Sequence, residues 1–151
     1  MDPIEINAGT HYLRQLRADD LLDDRDTLRA NGFPDPSAHI AARADGWHAD
    51  TGYTWAIAEP TTGALLGEVG LVDVQDGAAR AICWVDPAHR GRGIARTVLG
   101  SVLRFGSGAL DLRTVDWTHP ADEVAAERLA IALGWTRIGE SAGQPVWRAI
   151  P

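Results

Sequence analysis

The sequence contains no lysine: every basic side chain other than histidine is arginine. Lysine-based covalent catalysis and acetylation of the chain's own lysines are both excluded, while permanently charged forks suited to phosphate oxygens remain. Cys83 is the only cysteine, which rules out an internal disulfide and a cysteine-rich metal site. The five histidines are scattered without metal-ligand spacing, and no metal is expected. No apolar run approaches the roughly 20 residues of a membrane span, and Met1-Asp2-Pro3-Ile4-Glu5 lacks the basic start and apolar centre of a secretion signal. A soluble cytoplasmic protein with no membrane partner is expected. The net charge is −7; a phosphate-backbone binder needs a basic face, so no nucleic-acid partner is expected.

What is present suits one globular domain over residues 1–151, with 45% apolar residues. Residues 11–17 alternate well enough for a first strand. Asp19-Asp20 is an acidic start suited to a helix that ends near Asn31-Gly32, and Pro34-Asp35-Pro36-Ser37 precedes a second helix at about 37–46. Tyr53 to Ala58, Ala64 to Asp73 and Arg80 to Val85 read as strands joined by turns at Pro60-Thr61-Thr62-Gly63 and Gln75-Asp76-Gly77, an antiparallel meander. Gly67 and Gly70 inside the second strand point to a bulge or a close backbone approach.

After Asp86-Pro87 the period changes. Ile94, Val98, Leu99, Val102 and Phe105 fall on one helix face, closed by Gly106 and Gly108. A strand from Leu110 to Thr118 follows, then a helix from about Glu123 to Leu133 with Asp122 as N-cap and Gly134 beyond its end. Thr136 to Glu140 and Pro145 to Ile150 supply two last strands. The layout is mixed α/β around one central sheet.

The chemistry-bearing segment is Val85-Asp86-Pro87-Ala88-His89-Arg90-Gly91-Arg92-Gly93-Ile94-Ala95-Arg96, which joins a strand to a helix. Glycines allow close backbone approach, a helix's first turn offers free N–H groups, and the helix dipole with Arg90, Arg92 and Arg96 favours an anion. A pyrophosphate suits such a cradle. Neither Gly-x-Gly-x-x-Gly nor Gly-Lys-Ser/Thr is present, and the meander before it is not a parallel βαβ unit, so both common nucleotide-binding folds are disfavoured.

The run from Val85 to Ala95 resembles the acetyl-CoA signature of the GNAT acetyltransferase superfamily, Arg/Gln-x-x-Gly-x-Gly/Ala, and Leu133-Gly134-Trp135 resembles that family's Leu-Gly-Phe. Tyr12 to Leu16 and Trp55 to Leu71 look most like the subgroup of ribosomal-protein N-terminal acetyltransferases. The resemblance spans about residues 11 to 148. It implies a mostly antiparallel sheet, splayed at a cofactor gap and flanked by helices, and an enzyme that moves an acetyl group from acetyl-CoA to a primary amine by direct attack. The implied acceptor is a small amine or a protein N-terminus. On that resemblance the backbone of Cys83, Trp84 and Val85 runs beside the pantetheine arm, and the amides of Gly91, Arg92, Gly93, Ile94, Ala95 and Arg96 hold the pyrophosphate.

Two positions depart from the family pattern. Glu123 stands where many relatives carry an asparagine for the pantetheine, and Ala130 stands where many carry a tyrosine that reprotonates the thiolate. The general acid is thereby unassigned. Candidate bases are Glu68, with apolar neighbours that raise a carboxyl pKa, and His119, at the end of a strand bordering the gap. Against these stand plainer readings: Glu68 as the solvent face of an alternating strand, His119 as a turn residue before Pro120, Glu123 as a helix-dipole partner. His48 and Asp50 near Trp47 are candidates for the acceptor side. Trp84, Trp117 and Trp135 are expected near the gap, and Trp47 and Trp55 on the acceptor side. An exposed tail strand is expected to be able to pair across a homodimer.

Overall fold

The computed structural model describes residues 1–151. Its strands are β1 (Ile6–Asn7), β2 (Tyr12–Arg14), β3 (Tyr53–Ala58), β4 (Leu65–Gln75), β5 (Ala78–Val85), β6 (Thr114–Thr118), β7 (Thr136–Ser141) and β8 (Gln144–Ala149). Its helices are α1 (Arg25–Ala30), α2 (Pro36–Ala49), α3 (Ile94–Leu110) and α4 (Val124–Ala132). The strands form one eight-stranded sheet of order β1-β2-β3-β4-β5-β6-β8-β7. All neighbours are antiparallel except β5 and β6.

That one parallel pair is short. Ala78, Ala79 and Arg80 pair with Thr114, Val115 and Asp116, and pairing stops there although β5 runs on to Val85 and β6 to Thr118. The sheet therefore opens into a gap at the ends of these two strands. The mixed architecture and the splay both match the sequence expectation.

The two faces of the sheet carry different layers. Val69, Leu71 and Ala81 on one face meet Val98, Leu99 and Val102 of α3, with Ala126 and Ala130 of α4 in the same core. On the other, Ala56 and Leu65 pack with Leu28 of α1, Phe33, Ile40 of α2 and the Trp84 side chain. Gly67 and Gly70 let neighbouring strands come close within the sheet: a Cβ on Gly67 would collide with the Trp84 carbonyl oxygen, and one on Gly70 would lie 2.6 Å from that of Tyr53. Close approach holds at both glycines, and at Gly67 the expected bulge is present too: the pairing with β3 slips from Ile57↔Gly67 to Ala58↔Leu65.

Several boundaries differ from the sequence reading. Asp19 does not start a helix: its Oδ1 accepts the amides of Leu21 and Leu22 at 2.9 and 3.0 Å, closing a turn in competition with helical bonds. Helix α1 begins only at Arg25. Asp35 caps α2 by accepting the Ala38 amide, with Pro36 in the first turn. Helix α3 runs through Gly106 and Gly108 to Leu110, so β6 starts at Thr114. Gly106 is a packing glycine: a Cβ there would lie 3.1 Å from both Leu71 Cδ1 and Leu112 Cδ1. At α4 the N-cap is Glu123 in place of Asp122.

Trp47 and Trp55 belong to the core and not to the acceptor side. Both are essentially fully buried, and their rings meet edge-on at 5.1 Å. Trp55 meets Phe105 of α3 in the same way. Their N–H groups are satisfied by the carbonyls of Thr54 and Ile4. A second buried feature gave no sequence signal: Arg14 and Asp24, 4% and 3% exposed, form a two-pronged ion pair at 2.8 and 2.9 Å. Arg14 also donates to Gly63 O, and Asp24 accepts the Arg17 amide, so the pair ties β2 to the β3–β4 turn and to the start of α1.

Candidate active site

A groove of about 410 Å³ lies where the sheet splits. Its walls are Cys83, Trp84 and Val85 of β5, Trp117 of β6, the loop and first turn leading into α3, and Glu123, Ala125, Ala126 and Leu129 at the start of α4. A single 3₁₀ turn, Pro87–His89, reverses the chain after β5. Arg90 then folds back, its Nε donating to Val85 O at 3.0 Å. This bond fixes the loop against the strand it leaves.

Gly91 and Gly93 have φ of 78° and 74°, and no heavy atom lies within 4 Å of where either Cβ would stand. The glycines supply a left-handed backbone and an unobstructed surface at once. Gly93 is the N-cap of α3, and the first amide of the helix to find a partner is that of Thr97, which donates to Gly93 O. The amides of Gly91, Arg92, Gly93, Ile94, Ala95 and Arg96 donate to no group in the protein. An uninterrupted row of free N–H donors at a helix N-terminus is an anion site by construction. Of the residues expected to hold the cofactor, Cys83, Trp84, Val85, Arg90, Gly91, Gly93, Ile94, Ala95, Arg96 and Glu123 all line the groove. The side chain of Arg92 instead lies 3.4 Å from His89 Nδ1.

On the opposite face of the sheet, Glu68 is wholly buried and fully partnered. Its Oε2 bonds His39 Nε2 at 2.8 Å and accepts Trp84 Nε1–H at 2.9 Å; its Oε1 accepts Arg43 Nε–H at 3.2 Å. His39 and Arg43 are one turn apart on α2, and i, i+4 spacing points both at the same carboxylate. Burial pushes the Glu68 carboxyl up, but the His39 bond, the charges of Arg43 and His39 and the Trp84 bond together bring it below its ordinary value. This corrects the sequence reading on two counts. Glu68 does not face solvent, and its pKa is lowered, not raised, because three donors join the apolar neighbours. Phe33 lies against His39 and Trp84 at centroid distances of 4.2 and 5.5 Å.

A family model described as an acetyltransferase (GNAT) domain matches residues 11–136. The chain belongs to the GNAT acetyltransferase family. Among curated relatives, it is 36% identical over 84 residues to the regulatory protein RecX of Thermobifida fusca and 38% identical over 92 residues to the mycothiol acetyltransferase of Clavibacter sepedonicus. These matches cover 54% and 61% of this chain but only 44% and 29% of those proteins. Two solved structures share the fold over nearly the whole chain. The ribosomal-protein-S5-alanine acetyltransferase of Vibrio fischeri is 12% identical at a TM-score of 0.84, covering 97% of this chain and 96% of that one. Mycobacterium smegmatis RimJ in complex with CoA-disulfide is 16% identical at 0.81, covering 99% and 88%.

In this GNAT domain His119, Ala130, His48 and Asp50 fall outside the groove. His119 is buried, its Nδ1 2.8 Å from Pro120 O and its Nε2 3.0 Å from Trp147 Nε1. A carbonyl only accepts and an indole N–H only donates, so Nδ1 carries the proton and Nε2 is the acceptor. Protonating Nε2 breaks the Trp147 bond. His119 thus fastens the end of β6 to β8, with both ring nitrogens engaged inside the protein. Ala130 is fully buried in the core. His48 and Asp50 sit at the C-terminal end of α2, where Asp50 meets the N-terminal ammonium and Tyr53 Oη. Trp117 stands in the groove wall and meets Trp135 edge-on at 5.7 Å. His39, Arg43 and Phe33 carry little signal in the sequence beyond the i, i+4 spacing of His39 and Arg43 on a predicted helix.

Proposed function

We propose that this domain transfers an acetyl group from acetyl-CoA to a primary amine by direct attack in a ternary complex. The reading rests on the free amides from Gly91 to Arg96 at the mouth of the split sheet. In it those amides hold the pyrophosphate, with Arg96 adding charge, while the pantetheine arm runs beside Cys83, Trp84 and Val85 and past Glu123. The acceptor reaches the thioester from the face of α1 and α2. Desolvation pushes the Cys83 thiol up to about 12, so it is protonated at neutral pH and offers no thiolate for a covalent intermediate. Direct attack by the amine fits that state.

The acceptor class we favour is a small amine-bearing molecule, ahead of a protein N-terminus, because the groups beside Glu68 form a close aromatic wall of Phe33, His39 and Trp84. A homodimer is supported by β7, which is exposed along its whole length at the edge of the sheet. The deciding experiment is thiol release from acetyl-CoA against a panel of amines and peptides. Tight CoA binding with no thiol release on any acceptor would replace this reading by a non-catalytic CoA-binding regulatory module. The burial of Ala130, which leaves no phenol at the family's acid position, is the observation that favours that second reading.

A further inference from the structure

We infer that His39 is the general base that takes the proton from the acceptor amine, with Glu68 as its positioning residue; this rests on the transferase reading above. Glu68 has no exposed surface and all its partners are inside the protein, so it reaches no substrate directly. An ionised carboxylate only accepts hydrogen bonds. Its bond to His39 therefore places the proton on Nε2 and leaves the lone pair on Nδ1. Nδ1 makes no hydrogen bond within the protein, and 14% of the His39 side chain stays exposed. His39 is the one member of the cluster with a free basic atom and access to solvent.

The same carboxylate links this base to the groove. Trp84 donates its indole N–H to the oxygen that holds His39, while Trp84 itself lines the groove from β5. Phe33 lies against the imidazole and restricts its rotation. The charged group on the ring is Glu68 from β4, which Arg43 from the next turn of α2 also pairs; Phe33 from the α1–α2 connection, against the ring, and Trp84 from β5, on the same carboxylate, are uncharged. Arg43 is paired to Glu68, so the pair brings no net charge against an arriving ammonium.

The ammonium gives one proton to Nδ1, and the freed nitrogen pair forms the N–C bond to the acetyl carbonyl carbon. The C–S bond breaks, the sulfur leaves with its electron pair, and that sulfur takes the second proton from nitrogen. The imidazolium returns the first proton to water. One proton is released per amide formed.

The test measures thiol release from acetyl-CoA by wild type, His39→Gln and Glu68→Gln between about pH 6 and about pH 10. The acceptors are spermidine, phenethylamine and a peptide with a free N-terminal serine. Glutamine at 39 keeps a donor for Glu68 but accepts no proton. His39→Gln should lose about 100-fold in rate at neutral pH, with unchanged CoA affinity. The deficit should shrink as rising pH deprotonates the amine in solution. A structural role would give the same deficit at every pH, and that result, or a wild-type rate, overturns the assignment. In the wild-type protein, ¹⁵N spectra of the imidazole should show Nε2 protonated and Nδ1 bare; the opposite tautomer overturns it without any substrate. If wild type binds CoA but turns over no amine, the transferase reading fails and takes the base with it. If wild type is active and His39→Gln is unaffected, only the base assignment fails.

Discussion

The indole of Trp84 and the carboxylate of Glu68 occupy paired positions on β5 and β4 and are joined by a 2.9 Å hydrogen bond. One strand of that pair lines the groove and the other carries the buried charge behind it, so the register of two strands couples the groove wall to the opposite face. The coupling is electrostatic as well as steric, because the same oxygen of Glu68 also meets His39.

Glu68 makes the fold sensitive to acid. Its carboxyl is held below its ordinary value of 4.5 because the bonds and charges of His39, Arg43 and Trp84 outweigh the upward push of burial. The unfolded carboxyl therefore takes up a proton more readily than the folded one. The contribution is fully present above the ordinary value and is lost as pH falls through the lowered folded value. Thermal melts of wild type should fall more steeply below about pH 4.5 than those of Glu68→Gln. Parallel melting curves would remove this role.

Gly93→Asp should weaken CoA binding at least tenfold, about 1.4 kcal/mol. It sets a negative charge among free amides at a position of φ 74°, where a side chain costs roughly 1–2 kcal/mol. Titration calorimetry with CoA reads the first effect and denaturant unfolding the second. Unchanged affinity would detach the pyrophosphate from this loop.

Asp24→Ala should be the most destabilising of these changes. It leaves the Arg14 guanidinium buried without its partner, a situation that costs about 3–5 kcal/mol. Urea unfolding should show the full loss, and a drop under about 1 kcal/mol, the worth of an exposed pair, would mean that water reaches Arg14.

His119→Gln should lower stability by removing the link to Trp147, by about 1–3 kcal/mol for a buried bond. The pH–rate profile should keep its shape. A changed profile would return His119 to the chemistry.

Two glycines of α3 should respond in opposite directions. Gly108 has nothing within 4 Å of a new Cβ, so Gly108→Ala should stabilise by about 0.5–1 kcal/mol. Gly106→Ala presses on Leu71 and Leu112 at 3.1 Å and should cost stability, by about 1–3 kcal/mol for overpacking. Calorimetric melts of the two variants decide it.

These glycines also show where sequence reading stops. Spacing alone marks both as a helix end, and only the leucines packed beside Gly106 reveal its purpose. The cradle was legible because it is local: glycines, arginines and a helix start lie within a few residues, and almost all of them meet in the groove. The Glu68 cluster was not, because it assembles side chains from positions 33, 39, 43, 68 and 84 through a tertiary register. Periodicity placed Glu68 on a strand and residues 39 and 43 on a helix but could not align the two. For His119 and for Trp47 and Trp55, residue type suggested chemistry where packing had already used their polar atoms.

The short parallel pairing of β5 with β6 carries a further consequence. Beyond Arg80 and Asp116 the two halves of the sheet share no ladder, so the domain's cohesion at that seam is incomplete until something fills it. On the reading proposed above, the filler is a central metabolite. Fold and ligand then share one equilibrium: occupancy at about one hundred times the dissociation constant adds about 2.7 kcal/mol to the folded state. On that same reading, the melting temperature of this chain becomes a gauge of how much acyl carrier surrounds it.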